Sequence, residues 1–364
     1  MQSGLFVTRN WIDIMEVTVH KFDKYSRGLT TSKALASFVA AIGLLAVAIP
    51  DAHAQSSTVT KPKPTAAKPE VKKTAPSTQA PANFPPELVR WKPYPANPIF
   101  EADAEGHWDV KIRERGWILP NGDGWRLWYT GYDGSRDGIK MLGYATSNDG
   151  IHWTPSPKNP IYRERWVEDM CVVKHGDTYY MFAESEDDNH AQMLTSANGT
   201  DWKWIGKLDV RTAADKTKAT RRPCGTPTVW IEGNTWYLMY EWMDKGVWLA
   251  TTQDPMSLVW QDVQDEAVLS PGPDSYDKEM IAVNQVFRYQ SAYYAVYHGS
   301  GSGDAVPRTW TTNIARSTDR VHWQKYSANP IVEGNRSSGV IIRMPSGFRL
   351  YTMHSQIDMF EAKR

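Results

Sequence analysis

A unit of four short strands recurs along most of the chain, and such a repeat leaves few folds open. Its clearest part is a turn that ends in Trp: SNDGIHW (147–153), SANGTDW (196–202), TQDPMSLVW (252–260) and STDRVHW (317–323). Three of these carry Ser six residues before the Trp. The central Asp-Gly and Asn-Gly pairs tolerate positive φ and signal tight hairpins. Ahead of each turn lies a short strand, MLGYATS, AQMLTSA, GVWLATT or TNIARST. Ahead of that is a strand dense in aromatics: WRLWYTG (125–131), TYYMFAES (178–185), TWYLMYEW (235–242), SAYYAVYHG (291–299) and a fifth copy, GFRLYTMHS (347–355). One further strand precedes each: IRERGWIL, DMCVVK, TPTVWI, IAVNQVF and GVIIRM. These runs are rich in Tyr, Trp and Val and bounded by turn residues, which is strand composition. No stretch of this region has a helical period. Four antiparallel strands repeating roughly every 50–60 residues form a propeller blade. Five inner strands make the predicted fold an all-β, five-bladed β-propeller.

A second pattern closes the ring. WKPYPANPIF (91–100), WTPSPKNPIY (153–162) and WQKYSANPIV (323–332) share Trp followed six residues later by Asn-Pro-Ile. They are expected to be outermost strands with the crossover to the next blade, because an edge strand tolerates Pro. Blade five ends one strand short, and residues 88–96 supply the missing strand, so that no sheet edge stays open. Trp91 should therefore pair with the strand around Asp358–Glu361.

The residues before this domain carry different signals. ALASFVAAIGLLAVAIP (34–50) is apolar, follows Arg27 and Lys33, and precedes Ala52-His53-Ala54. That order reads as a secretory signal over residues 1–54, cleaved before Gln55, with Met15 as an alternative start. The alternative, an uncleaved anchor, is disfavoured because the run is short for a spanning helix. Residues 55–85 are rich in Pro, Lys, Thr, Ala and Ser and cannot offset their ordering entropy, so a disordered tether is expected. Its five Lys and one Glu suit a spacer, or electrostatic attachment to an acidic envelope polymer. The folded domain is residues 86–364. The whole chain is neutral, the leader about +1 and the tether about +4, which leaves the domain about −5. Such a balance offers no basic face to nucleic acid. Cys171 and Cys224 could pair in an exported chain or be small buried hydrophobes.

The run WRLWYTGYDG…GYATSNDGIHWTPSPKNPIY followed by WVEDMCVVKHGDTYYMFAES resembles the five-bladed β-propeller glycosidases, the superfamily of arabinofuranosidase/xylosidase- and invertase-like enzymes. The resemblance spans residues 88–361. The Trp turns also resemble sialidase Asp-boxes, less closely, because those insert a residue between Asp and Gly and usually occur on six blades. The glycosidase resemblance implies carboxylates at the starts of the inner strands: a base or nucleophile from blade one, an orienting Asp from blade two and a general acid Glu from blade three. Asp109 and Asp169 match the first two, with Glu168 beside the second. The third departs from the pattern, since Cys224-Gly225-Thr226-Pro227 stands where the acid is expected. Glu279, Glu184 or Glu241 could replace it. His298 and His354 occupy the corresponding stretch in blades four and five. Glu168 could instead pair with Arg163 or Arg165, and Glu279 could be an exposed crossover charge.

Arg113 and Arg115 alternate with apolar residues on one strand. They either reach the axis and bind a carboxylate or sugar hydroxyl, or neutralise Asp109 and Asp169. Trp108, Trp166 and Trp242 are candidates for stacking on sugar faces, although most of the 17 Trp must pack blades. No phosphate-binding Gly loop, zinc spacing or nucleophile elbow is present. A structural calcium ion in the axial channel follows by analogy with relatives alone, and no other cofactor is expected. The sequence thus points to an exported bacterial glycoside hydrolase, periplasmic or secreted, with a carbohydrate as partner and no membrane span after cleavage. A catalytically inactive carbohydrate-binding propeller, in polysaccharide assembly or uptake, is the alternative that the missing blade-three Glu favours. A tethered scaffold that binds protein on its propeller face is a third reading.

Overall fold

The computed structural model describes residues 84–113, 115–122, 124–135, 138–186, 190–220, 222, 224–301 and 309–363. The expected signal peptide and nearly all of the tether lie outside the described residues. The described chain is almost entirely β, in five sheets arranged as a propeller ring. Blade one is built from Lys111–Ile112 and Trp117–Asn121, then Gly124–Tyr132, Met141–Ser147 and Thr154–Pro155. Blade two runs through Glu168–His175, Thr178–Glu184, Ala191–Ser196 and Lys203–Lys207. Blade three comprises Gly225–Glu232, Thr235–Glu241, Val247–Thr252 and Val259–Asp262. Blade four comprises Met280–Tyr289, Ala292–Ser300, Thr311–Ser317 and Gln324–Lys325. Blade five takes Val340–Met344, Gly347–Met353 and Ile357–Ala362 from the C-terminal end of the chain and Trp91–Pro93 from the other.

The ring closes as the Asn-Pro-Ile repeat requires. Trp91 pairs with Ala362, Lys92 with Glu361 and Pro93 with Phe360. The repeated Asn has the same job in each copy. Its amide oxygen accepts from, and its amide nitrogen donates to, the backbone of one third-strand residue: Met359 for Asn97, Tyr144 for Asn159 and Ile314 for Asn329. The Asn-Pro bond is cis in all three copies. Two details depart from the sequence reading. Phe84, assigned to the tether, is buried against Tyr294 and Tyr326, with ring centroids 6.0 and 5.0 Å away, because blades four and five leave an apolar seam there. Asp209–Arg211, from the crossover after blade two, adds a parallel fifth strand to blade three.

Blades pack through aliphatic and aromatic side chains, and polar groups bridge each seam. Trp128 donates to Gly199 O, Cys171 contacts Val229, Thr228 donates to Val283 O, Gln285 bonds Ile341, and Tyr351 donates to Gly150 O. Cys171 and Cys224 are both free and buried, so no disulfide joins them. Burial pushes the Cys171 thiol up to about 11, against the pull of Arg115. No described helix is long and apolar enough to cross a membrane.

Candidate active site

Inner strands begin, and second strands end, at the same face of the ring. Each inner strand is irregular there. Arg115, Asp169, Thr226 and Ser338 have positive φ (60°, 50°, 44° and 58°), two residues before the strand resumes regular pairing. In blade four the bulge falls between Val283 and Gln285. A left-handed non-glycine residue costs about 1 kcal/mol or more, so this end of the ring is held in shape by its surroundings. A bulge re-aims the side chains beside it.

Asp169 sits on the blade-two bulge and is partly exposed. Glu168, just before it, is buried and fully engaged: Arg113 Nε donates to Oε1 at 2.9 Å, Arg113 Nη2 also contacts Oε1, and Trp166 Nε1 donates to Oε2 at 2.8 Å. Arg113 is thus the partner of Glu168, and neither Arg163 nor Arg165 takes that place. Trp166 is buried under the Lys140 ammonium, which lies 4.4 Å from its ring and 3.9 Å from that of Tyr132. One face of its ring serves that contact.

The second strands bring two further acids inward at equivalent positions. Glu184 Oε1 accepts from Thr226 N at 2.7 Å, and Glu241 Oε2 accepts from Asp244 N. Both side chains are buried. They converge on Gly225, within the Cys224–Pro227 stretch where the expected acid is missing. A Cβ there would lie 2.1 Å from Glu241 Oε1 and 3.2 Å from Glu184 Oε1. The two carboxylates therefore fill the space that a blade-three side chain would need.

Arg115 is fully buried at the centre of this arrangement. Its Nη2 donates to Pro227 O at 2.6 Å and contacts Thr228 Oγ1, and Asn284 O lies 3.5 Å away. Burial lowers its pKa, while Cys171, Asp169, Glu184 and Glu241 pull the other way. The guanidinium thus lies within the field of three carboxylates from two blades.

His298 is buried, its Nδ1 3.0 Å from Asn284 Nδ2 and its ring edge-on to Trp310. His354 Nδ1 lies 3.0 Å from Ser337 Oγ. Each histidine therefore meets the inner strand of its own blade. Glu279 is on the rim, 3.8 Å from Lys245 Nζ, in the crossover into blade four.

Asp109 lies elsewhere. It is buried and accepts from Tyr129 OH at 2.7 Å, and Tyr129 is also held by Asn159 after the outermost strand. The carboxylate thus faces the outer half of blade one. Blade four repeats this arrangement: Asp277 accepts from Tyr297, which Asn329 holds, with Lys325 Nζ 2.5 Å from the carboxylate. Gly131 and Gly299 make room for the two aspartates, since a Cβ on either would come within 2.5 Å of the Asp Cβ. Trp108 packs over Gly131 and Tyr129. Blade three reaches the same end differently, with Tyr240 donating to Asp262 of the outer strand, which Arg222 pairs. A Trp/Tyr-Asp pair followed by Tyr-x-Gly twenty residues on is visible in the sequence at 108–131 and 276–299 and marks this role.

The bulge ring gathers Asp169, Glu184, Glu241 and Arg115, with Arg113, Glu168 and Trp166 beside it. It leaves Asp109 and Trp108 outside and Glu279 at the rim. Among the described residues, no group of three or more His, Cys, Asp or Glu is placed to hold a metal ion.

No protein-family profile matches the chain. Two uncharacterized proteins of Mycobacterium tuberculosis are similar in sequence, one of strain CDC 1551 / Oshkosh being 25% identical over 226 residues, 57% of this chain and 74% of that one. Solved structures that match include glycoside hydrolases and a glycoside phosphorylase. A glycosyl hydrolase of Bacteroides ovatus superposes with a TM-score of 0.62 at 15% identity, covering 75% of this chain and 93% of that one. β-1,2-Mannobiose phosphorylase of Listeria innocua, solved with β-1,2-mannobiose, gives 0.57 at 13%, covering 75% and 96%. A protein from the mannoside phosphorylase family that contains hydrolases of β-1,2-mannosidic linkages in Candida mannan gives 0.60 at 15%, covering 75% and 96%.

Proposed function

We propose that the chain is an exported, carbohydrate-active propeller that cleaves a glycosidic bond at the face where the inner strands begin. One observation carries this reading: Glu184 and Glu241 converge on Gly225, with Asp169 and Arg115 beside them. Glycoside cleavage needs a proton donor and an ionised partner flanking the bond. The two glutamate oxygens are closer together than the sum of their distances to the Gly225 Cβ position. That spacing suits a double displacement better than an inverting reaction, in which the carboxyls stand about 6.5–9.5 Å apart. Asp169, partly exposed on its bulge, would face the sugar, and Arg115 would balance the three charges from beneath. The signal segment would direct export, and protein sequencing of the mature chain should begin at Gln55.

A second reading is favoured by Asp109, whose carboxylate is taken up by Tyr129 within blade one, and by the Cys224–Pro227 stretch, which carries no acid. These support a propeller that binds sugar without cleaving it. Screening aryl furanosides, aryl pyranosides and manno-oligosaccharides, with and without inorganic phosphate, separates the two. Asp169→Asn should lower turnover by about 10²–10⁴-fold with the fold intact. Retained turnover would remove Asp169 from the site, and sugar binding without turnover would support the second reading.

A further inference from the structure

Trp242 follows the second strand of blade three, immediately after Glu241. It is the only aromatic among the large hydrophobic side chains left exposed in the described structure, at 39%, and Met243 beside it is 36% exposed. The turn that holds them is strained, with Met243 at φ 53° and Asp244 at φ 56°. Neither residue is a glycine, so the conformation costs about 1 kcal/mol or more at each position. Four interactions hold it. Trp242 N donates to Gly246 O, Lys245 N donates to Trp242 O, Asp244 N donates to Glu241 Oε2, and Ile281 N of blade four donates to Asp244 O. The turn is therefore fastened both to a candidate catalytic carboxylate and to the neighbouring blade.

The surroundings are mixed rather than apolar. Trp242 leans on Trp248 at 6.4 Å, and Trp248 stacks on Tyr240 and lies under Arg222. Lys245, in the same turn, forms an exposed ion pair with Glu279. A flat ring bordered by charged groups suits a ligand with one apolar C–H face and hydroxyls at its edge, which is a sugar ring. An apolar protein surface would leave the Lys245–Glu279 pair desolvated.

We propose that the Trp242–Gly246 turn is a sugar-stacking subsite, continuous with the carboxylate site through Glu241, for a residue of the glycan beyond the one at the axis. This rests on the carbohydrate reading above. In it, Glu279 is a rim group for sugar hydroxyls and Trp242 the stacking platform.

The test is a glycan array followed by calorimetric titration of the best-bound oligosaccharide, using the wild type, Trp242→Ala, Trp242→Phe and Glu279→Gln. Trp242→Ala should weaken binding about tenfold or more, as removal of an aromatic anchor does. Trp242→Phe should recover most of the loss, and thermal unfolding should match the wild type because the ring is exposed. Glu279→Gln should weaken binding less than Trp242→Ala. Equal binding by wild type and Trp242→Ala would overturn the subsite and leave the carbohydrate reading standing. Phenylalanine as damaging as alanine would also overturn it. A wild type that binds no glycan on the array would overturn the carbohydrate reading and the subsite with it.

Discussion

At the residue scale, the same amino acid does different work according to what surrounds it. Asp109 and Asp169 each precede or open an inner strand, and a family pattern alone assigns both to catalysis. Their neighbours separate them. Asp109 has a buried Tyr partner and a counterpart in Asp277, with the same Tyr, Asn and Gly around it. Asp169 has a strained backbone, partial exposure and a share in the Arg115 charge cluster. Asp109→Asn should therefore behave like Asp277→Asn. Each should cost about 1–3 kcal/mol of stability, the range for disturbing a buried hydrogen-bonded group. Asp109→Asn should keep turnover within about tenfold of wild type, whereas a base or nucleophile would lose far more. Chemical denaturation and kinetics on the two variants decide this. The Asp-Tyr spacing that links them can be read in the sequence. The direction of the carboxylate cannot, because Tyr129 and Asn159 meet it only once the blade has folded.

At the element scale, the Asn-Pro-Ile segment is a clip. One Asn side chain satisfies both the N–H and the C=O of a third-strand residue and so fixes where the outer strand ends. The N-terminal copy does this for blade five across 262 positions of sequence. Trp91 is buried beside it, and its Nε1 donates to Leu88 O. Removing residues 86–96 should expose the edge of the last strand and lower the unfolding midpoint by 10 °C or more, on the order of a lost core tryptophan at about 3–5 kcal/mol. Removing residues 55–83 should leave the midpoint unchanged. Differential scanning calorimetry of the two truncations is the measurement. The repeat made this closure legible, since a strand that ends a unit is recognisable even where the rest of the unit lies elsewhere. The fifth strand of blade three was not legible, because Asp209–Arg211 carries no repeat signal and pairs in parallel.

At the scale of the whole molecule, Arg115 ties the ring together. Its N–H donates to Met353 O of blade five and its carbonyl accepts from Met170 N of blade two. Its guanidinium bonds blade three and reaches toward blade four. One residue of blade one thus meets every other blade. Arg115→Met should cost about 3–5 kcal/mol, since it removes a buried cation and leaves Pro227 O and Thr228 Oγ1 without its hydrogen bonds. Arg115→Lys should recover only part of this, because an ammonium cannot reproduce the planar fork. Urea denaturation of the three proteins measures the difference. By itself the sequence determined the fold class, the blade count, the ring closure and the set of acids from which a site could be drawn. Those follow from local rules, strand composition, turn chemistry and a unit that repeats. The tertiary structure alone decided which acids come close to one another. A carboxylate's role depends on neighbours contributed by other blades, and on bulges whose direction no local pattern encodes.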